Sequence, residues 1–244
     1  MRNLRLDLCY DGTRYKGWQR LSQTDNTIQA KLEQALSRIL GEQVEVIGSG
    51  RTDAGTHALG QVVNFHCEST MDCDQILSQL RRYLPEDIGI YSCKNVSPRF
   101  HARLNAVTKT YRYRIWNSES PCVFDRKYVW IHSAELDVAA MHQAAQAFVG
   151  THDFGPFCSN KQGKKSTVRT IYSFEIDRCG EEIQFTVKGN GFLYNMVRIL
   201  VGTLVEVGAG QRQVSQIPEL FAGKRENTGI TVPACGLCLM EVTY

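Results

Sequence analysis

The run Gly48-Ser49-Gly50-Arg51-Thr52-Asp53-Ala54-Gly55-Thr56-His57 is polar and punctuated by glycine. It separates two apolar stretches, with Val44, Val46 and Ile47 before it and Val62, Val63 and Phe65 after it. β-Branched and aromatic residues bounded by glycine read as strands, so the run is expected to be a loop joining two strands, with Asp53 presented at the end of a sheet. Loops held on a rigid scaffold often carry chemistry. A turn in which Asp53 caps its own backbone accounts for the same residues, and the loop alone does not separate the two.

Toward the N-terminus, Leu4, Leu6, Leu8 and Tyr10 alternate at the period of a strand, which Asp11-Gly12 ends. Asn26 or Thr27 can cap a helix carrying Ile28, Leu32, Ala35, Leu36, Ile39 and Leu40 on one face, with Gly41 just past its end. Strands are expected over 43–48 and 61–67, on either side of the loop. Asp72 or Asp74 then starts a second helix with Ile76, Leu77, Leu80, Tyr83 and Leu84 as its apolar positions, and Pro85 closes it. A strand over 87–96 completes the order strand, helix, strand, strand, helix, strand, the split β-α-β arrangement of ferredoxin-like domains.

Residues 97–108 have few periodic apolar positions and read as a connection, after which the plan recurs. A strand is expected over 110–116, a helix over 133–149, and strands over 168–177 and 182–189 about the Cys179-Gly180 turn. A strongly apolar helix over 192–207, a short extra helix over 214–222 and a strand over 237–244 follow. The two halves share an order of elements but no sequence repeat. The expected fold is α+β, with two ferredoxin-like halves and mostly antiparallel sheets. Residues 1–105 carry the Asp53 loop; residues 106–244 carry Tyr111, Arg198 and the final strand. A central cleft between the halves is the expected place for a ligand.

The composition bounds what such a fold can do. The 244 residues are 43% hydrophobic, enough for one large domain or two modest ones with real cores. No apolar run approaches the roughly 18 residues of a membrane span. The start, Met1-Arg2-Asn3-Leu4-Arg5-Leu6-Asp7, alternates like a strand and lacks the apolar centre of a signal peptide, so a cytoplasmic protein without a membrane partner is expected. Nine scattered cysteines, mostly in apolar runs, fit reduced thiols. Cys235-Gly236-Leu237-Cys238 has CxxC spacing but neither a second CxxC nor a nearby histidine, which favours packed strand thiols over zinc.

Other motifs point away from cofactors. Gly48-Ser49-Gly50 opens like a dinucleotide fingerprint, yet Asp53 occupies the third glycine position and a strand, not a helix, follows. His57, His66 and Cys67 lack ligand spacing, and no cysteine lies in a polar loop suited to a thiol nucleophile. The net charge of only +3 hides local clusters. Arg14, Lys16 and Arg20 are interleaved with Tyr15 and Trp18; Arg99, Arg103, Lys109, Arg112 and Arg114 surround Tyr111 and Tyr113; Lys161, Lys164, Lys165 and Arg169 flank Gly163. Basic residues mixed with aromatics suit phosphate contact and base stacking, although solvated charged faces account for them equally. Arg198 lies among Val197, Ile199 and Leu200, where it either meets a carboxylate or snorkels to the surface.

Arg51-Thr52-Asp53-Ala54-Gly55-Thr56-His57 followed by Gly60-Gln61-Val62-Val63 resembles the signature of the tRNA pseudouridine synthase A family. Tyr10-Asp11-Gly12 with Gly17-Trp18-Gln19, Phe100-His101-Ala102-Arg103, Lys109-Thr110-Tyr111-Arg112-Tyr113, His152-Asp153-Phe154 and Phe192-Leu193-Tyr194-Asn195-Met196-Val197-Arg198 agree with it in order. The resemblance spans essentially the whole chain; Thr56 departs from it, standing where valine is expected.

The resemblance implies a homodimeric, cofactor-free, metal-free isomerase that converts uridine to pseudouridine at positions 38, 39 and 40 of the tRNA anticodon stem and loop, with no role for DNA. It implies that Asp53 is the nucleophile, that Tyr111 stacks on the uracil and can take part in proton transfer, and that Arg198 pairs with Asp53. Leu237 would contact the base, and Arg51 would fill the gap left by the extruded uridine. Arg14, Lys16, Arg103, Lys109, Lys164 and Lys165 become candidate phosphate contacts. A noncatalytic tRNA-binding protein is the alternative of a different class. A hydrolase using Asp53 as base would lack a second carboxylate placed as acid.

Overall fold

Leu4, Leu6 and Leu8 are fully buried and alternate with the half-buried Arg5 and Asp7, so the first strand covers a core with one face. The structure, a computed structural model, describes residues 1–159 and 166–244. The fold is mixed α+β with mostly antiparallel strands, divided into two units, Met1–Val107 with Cys238–Tyr244 and Thr108–Leu237.

In the first unit, strand β1 (Arg2–Tyr10) is followed by α1 (Ile28–Leu40), β2 (Val46–Gly48), β3 (His57–Cys67), α2 (Cys73–Tyr83) and β4 (Ile88–Asn95). β1 lies between β3 and β4, and β2 pairs on the other side of β3, all antiparallel. The Thr27 hydroxyl caps α1 by accepting from the Ala30 N–H at 3.3 Å, and Gly41 ends it in the left-handed region at φ 72°. Ile28, Leu32 and Leu36 are buried on one face of α1, and Ile76 and Leu80 on one face of α2. Asp72 and Gln75 form a reciprocal capping box at the start of α2, with Asp72 accepting from the Gln75 N–H at 2.8 Å and Gln75 from the Asp72 N–H at 3.3 Å. Tyr83, expected on the apolar stripe of α2, is instead 46% exposed, with the Arg38 guanidinium 4.9 Å from its ring.

Two strand boundaries differ from the periodicity. β2 is three residues long because the backbone at and before its start is bound to α1: the Val44 N–H donates to Ser37 Oγ at 3.0 Å, and the N–H of Val46, its first residue, to Glu33 Oε1 at 3.1 Å. β3 begins at His57 because a last strand, β10 (Leu237–Thr243), pairs parallel with it there, Cys238 opposite His57 and Leu239 opposite Ala58. Residues Cys238–Tyr244 are therefore part of the first unit, although sequence order assigned this strand to the second half. The Tyr244 hydroxyl donates to the Ala102 carbonyl at 2.7 Å, and the Tyr244 ring packs 5.0 Å from Phe100.

The second unit contains β5 (Thr108–Trp116), β6 (Trp130–Ile131), α3 (Val138–Ala145), β7 (Gly150–Asp153), β8 (Val168–Cys179), β9 (Glu182–Gly189) and α4 (Met196–Gly208). Its strand order is β7-β8-β9-β5 with antiparallel neighbours, and β6 lies parallel to β5. The short β6 and β7 carry no periodic signal in the sequence. α3 starts later than expected because Asn117 Nδ2 donates to the carbonyls of His132 (2.9 Å) and Ala134 (2.7 Å), holding that stretch extended until Asp137 caps the helix. α4 also starts late: Asn195 is left-handed at φ 60°, so Phe192, Leu193 and Tyr194 precede the helix. The extra helix expected over 214–222 is two short 3₁₀ turns, Val214–Gln216 and Pro218–Ala222, the second beginning at a proline that has no N–H to donate. No helix among the described residues is long and apolar enough to cross a membrane.

Two stability changes follow from these contacts. Thr56, immediately before β3, is 2% exposed and its hydroxyl has no hydrogen-bond partner among the described residues. Thr56→Val removes that group at nearly constant volume and is expected to raise unfolding free energy in urea by about 1 kcal/mol; a loss of similar size would contradict the unpartnered state. Asp72→Ala removes the capping box and is expected to cost about 1 kcal/mol in the same assay, with an unchanged midpoint contradicting the cap.

Candidate active site

The loop between β2 and β3 is fixed by backbone bonds at several points. The Ser49 N–H donates to the Val62 carbonyl at 2.8 Å, the Thr56 N–H to the Asp53 carbonyl at 3.1 Å, and the Trp18 N–H to the Thr52 carbonyl at 3.0 Å. Gly17, at φ +97°, comes so close that a Cβ there would lie 2.9 Å from the Thr52 carbonyl oxygen and 3.1 Å from Ala54 N. At Gly12 a Cβ would lie 2.0 Å from the Thr56 carbonyl oxygen. Segment 12–18 thus packs backbone against backbone on the loop. Thr52 and Thr56 turn inward and are buried, while Arg51 is exposed and Asp53 half-buried. The order outward, inward, outward over Arg51, Thr52 and Asp53 is what presents a guanidinium and a carboxylate on one short loop.

Side chains hold the loop from behind. The Tyr10 hydroxyl lies 2.8 Å from Thr52 Oγ1, and Gln61 Nε2 donates to the Tyr10 hydroxyl at 3.3 Å and to the Gly50 carbonyl at 3.2 Å. The Ser49 hydroxyl donates to Gln61 Oε1 at 2.6 Å. Burial pushes the Tyr10 phenol far above the ordinary tyrosine range, so it is neutral. His57 is buried, and its Nδ1 accepts from the Gly12 N–H at 3.1 Å, a structural bond tying β3 to the same segment. No group of three His, Cys, Asp or Glu side chains among the described residues is arranged to hold a metal ion, and all nine cysteines are free thiols.

In the second unit, Tyr111, Tyr113 and Ile115 are buried on one face of β5 while Arg112, Arg114 and Trp116 are half-buried on the other. Tyr111 meets the Phe192 ring edge-on at 5.3 Å. Tyr113 is core: its hydroxyl donates to the Pro233 carbonyl at 2.8 Å, and burial raises its pKa strongly. Arg198, in the first turn of α4, donates from Nε to the Val232 carbonyl at 2.7 Å and from Nη1 to Asn195 Oδ1 at 2.9 Å, which fixes the plane of its guanidinium. Asn195 is itself held by Ser159 Oγ at 3.0 Å, so the left-handed residue before α4 orients the arginine. Leu237 is 6% exposed.

The candidate phosphate contacts divide by how they are engaged. Arg14 makes two bonds to Asp87 Oδ2 at 2.9 and 2.6 Å, and Tyr15 donates to the same carboxylate at 2.6 Å. Lys16, Arg51 and Arg103 are exposed, and Lys109 is half-buried. Arg114 forms a two-bond pair with Glu182 at 2.8 and 2.6 Å and so belongs to the sheet. Lys164 and Lys165 lie outside the described residues. Sequence patterning did not single out Tyr10, Gly12, Gly17 and Gln61 as supports of the Asp53 loop; their signal is the glycine spacing and a polar residue in an otherwise apolar strand.

Residues 9–105 and 144–244 match the model of a family described as tRNA pseudouridine synthase. The chain is 45% identical over 245 residues to tRNA pseudouridine synthase A 2 of Bacillus cereus (strain ZK / E33L), covering 100% of both chains. It is 46% identical over 245 residues to tRNA pseudouridine synthase A of Brevibacillus brevis and 45% identical over 245 residues to that of Acetivibrio thermocellus, again covering 100% of each. With most of its length matched by the family and full-length relatives at this identity, the chain belongs to the tRNA pseudouridine synthases, a family of isomerases.

Proposed function

We propose that this protein isomerises uridine to pseudouridine at positions 38, 39 and 40 of the tRNA anticodon stem and loop, acting as a homodimer in the cytoplasm with Asp53 as nucleophile and no cofactor. The observation that carries the proposal is the half-buried Asp53, two residues from the exposed Arg51, on a loop clamped by segment 12–18. A carboxylate suits the task because it is ionised at neutral pH, with a reference pKa near 3.9, and is also a tolerable leaving group. Asp53 adds to the uracil ring or to the ribose anomeric carbon, and the bond from ribose C1′ to N1 breaks. The base turns, a bond forms from C1′ to C5, the C5 proton departs, N1 gains a proton and the carboxylate is released. Substrate and product have the same atoms and oxidation state, so the stoichiometry requires no redox partner.

Under this proposal the remaining residues take ordinary physical roles. Tyr111 offers a ring for stacking on the extruded uracil and a hydroxyl for proton transfer, and Leu237 offers an apolar contact to the base. Arg198 is the cation that the family resemblance would pair with the Asp53 carboxylate, and an opposite charge favours the ionised form of a carboxylate. Arg51 fills the gap left in the RNA stack, where extrusion costs a few kcal/mol and least at weak pairs, as at the junction of stem and loop. Arg14, Lys16, Arg103, Lys109, Lys164 and Lys165 position tRNA through its phosphates without reading sequence.

Asp53→Asn is expected to bind undermodified tRNA with near wild-type affinity and to form no pseudouridine, as read by chemical mapping of the RNA after incubation. Full conversion by this variant would overturn the nucleophile assignment, and binding without conversion by the wild-type protein would favour a noncatalytic tRNA-binding role. Arg103→Ala is expected to weaken binding by a similar factor for different tRNAs and to reduce the slope of log affinity against log salt by about one; an unchanged slope would remove Arg103 from the phosphate contacts.

A further inference from the structure

We infer that Tyr10, acting with Gln61 through Thr52, is a positioning residue for the isomerisation, holding the Asp53 loop in register with the sheet. The inference rests on the assignment of Asp53 as nucleophile and extends it to residues outside the loop. Tyr10 is the last residue of β1 and is 4% exposed, and Gln61, in β3, is fully buried. Buried polar groups of this kind are costly unless every bond is made. Here the bonds are made to the loop: Gln61 Oε1 accepts from Ser49, Gln61 Nε2 serves the Gly50 carbonyl and the Tyr10 oxygen, and Tyr10 reaches Thr52 Oγ1.

With Gln61 donating to it, the Tyr10 oxygen is satisfied as an acceptor, and the arrangement that also satisfies its proton has Tyr10 donating to Thr52. Three loop residues on the N-terminal side of Asp53, namely Ser49, Gly50 and Thr52, are thereby referenced to two strands. Thr52 is held a second time through its carbonyl by the Trp18 N–H at 3.0 Å. The residue adjacent to the nucleophile therefore has both its side chain and its backbone fixed, and reaction rates are steep functions of such placement. Because burial holds the Tyr10 phenol neutral across the working pH range, its contribution is geometric and involves no proton transfer.

The test is a set of variants assayed by single-turnover and steady-state kinetics on undermodified tRNA. Tyr10→Phe keeps the ring and removes only the hydroxyl; it is expected to lower kcat about tenfold, with unchanged KM and an unchanged shape of the pH profile. Thr52→Val, which removes the same bond from the loop side, is expected to match it, and Thr52→Ser to recover most of the rate lost in Thr52→Val. The Tyr10→Phe, Thr52→Val double variant should be no slower than the slower single one, because Tyr10→Phe already removes the Tyr10–Thr52 bond that Thr52→Val removes. Unchanged kcat in Tyr10→Phe, additive losses in the double variant, or a shifted pH profile would overturn the inference; if Tyr10→Phe does not fold, the comparison of Thr52→Val with Thr52→Ser decides it. Asp53→Asn assayed alongside separates the two claims, since activity in that variant overturns the nucleophile assignment itself, whereas full activity in Tyr10→Phe leaves that assignment standing.

Discussion

The first unit depends on a place where two stretches of backbone meet with no room for a side chain. Gly12 and Gly17 lie against the carbonyls of Thr56 and Thr52, and a Cβ at either position would collide with the loop that carries Asp53. The same segment also receives the start of α1, through bonds from the Ile28 N–H to the Gly17 carbonyl at 3.2 Å and from the Gln29 N–H to the Trp18 carbonyl at 3.0 Å. Strand, connecting segment, helix and loop are thus one mechanical block. A loop of this length would by itself sample many conformations, and ordering it costs entropy on the order of 1–2 kcal/mol per residue. The backbone bonds and the buried Tyr10, Gln61 and Thr52 side chains supply the compensating contacts.

The second unit solves a similar problem with a helix terminus. Arg198 sits among apolar neighbours on a helix that is buried along nearly its whole length, where an unbonded guanidinium would be expensive. Beginning α4 at Met196, after a left-handed Asn195, places the arginine in the first turn, where a carbonyl from Val232 and the Asn195 side chain both reach it. The helix boundary and the orientation of the charged group are one fact. Elsewhere the positive charge is distributed unevenly in function: Arg114 is bound into the sheet by Glu182, while Lys16, Arg51 and Arg103 remain exposed and suited to a polyanion.

Much of this was legible in the chain because hydrophobic periodicity and caps are local signals. The alternation of Leu4, Leu6 and Leu8, the Thr27 and Asp72 caps and the β8–β9 hairpin all stand where those signals point. The boundaries that moved were set by contacts distant in sequence. β2 shortens because Glu33 and Ser37 on α1 take N–H groups at and before its start, α3 starts late because Asn117 holds the preceding chain, and β10 joins the first unit by pairing with His57 and Ala58. The Asp53 loop was visible as a polar, glycine-punctuated break, but the function proposed for it came from resemblance to a family. Neither spacing nor composition distinguishes a nucleophilic aspartate from one that caps a turn, since both demand a short acceptor in a tight loop. The supports at Tyr10 and Gln61 were hidden because each reads as an ordinary strand residue until the opposing strand is known.

The central claim, that this chain makes pseudouridine in tRNA through Asp53, is tested most directly by mass-spectrometric mapping of total tRNA from a strain lacking the gene. The account predicts that pseudouridine disappears at positions 38, 39 and 40, returns with the wild-type gene and does not return with the gene encoding Asp53→Asn. Pseudouridine retained at all three positions in the deletion strain, or restored by the Asp53→Asn gene, would contradict it.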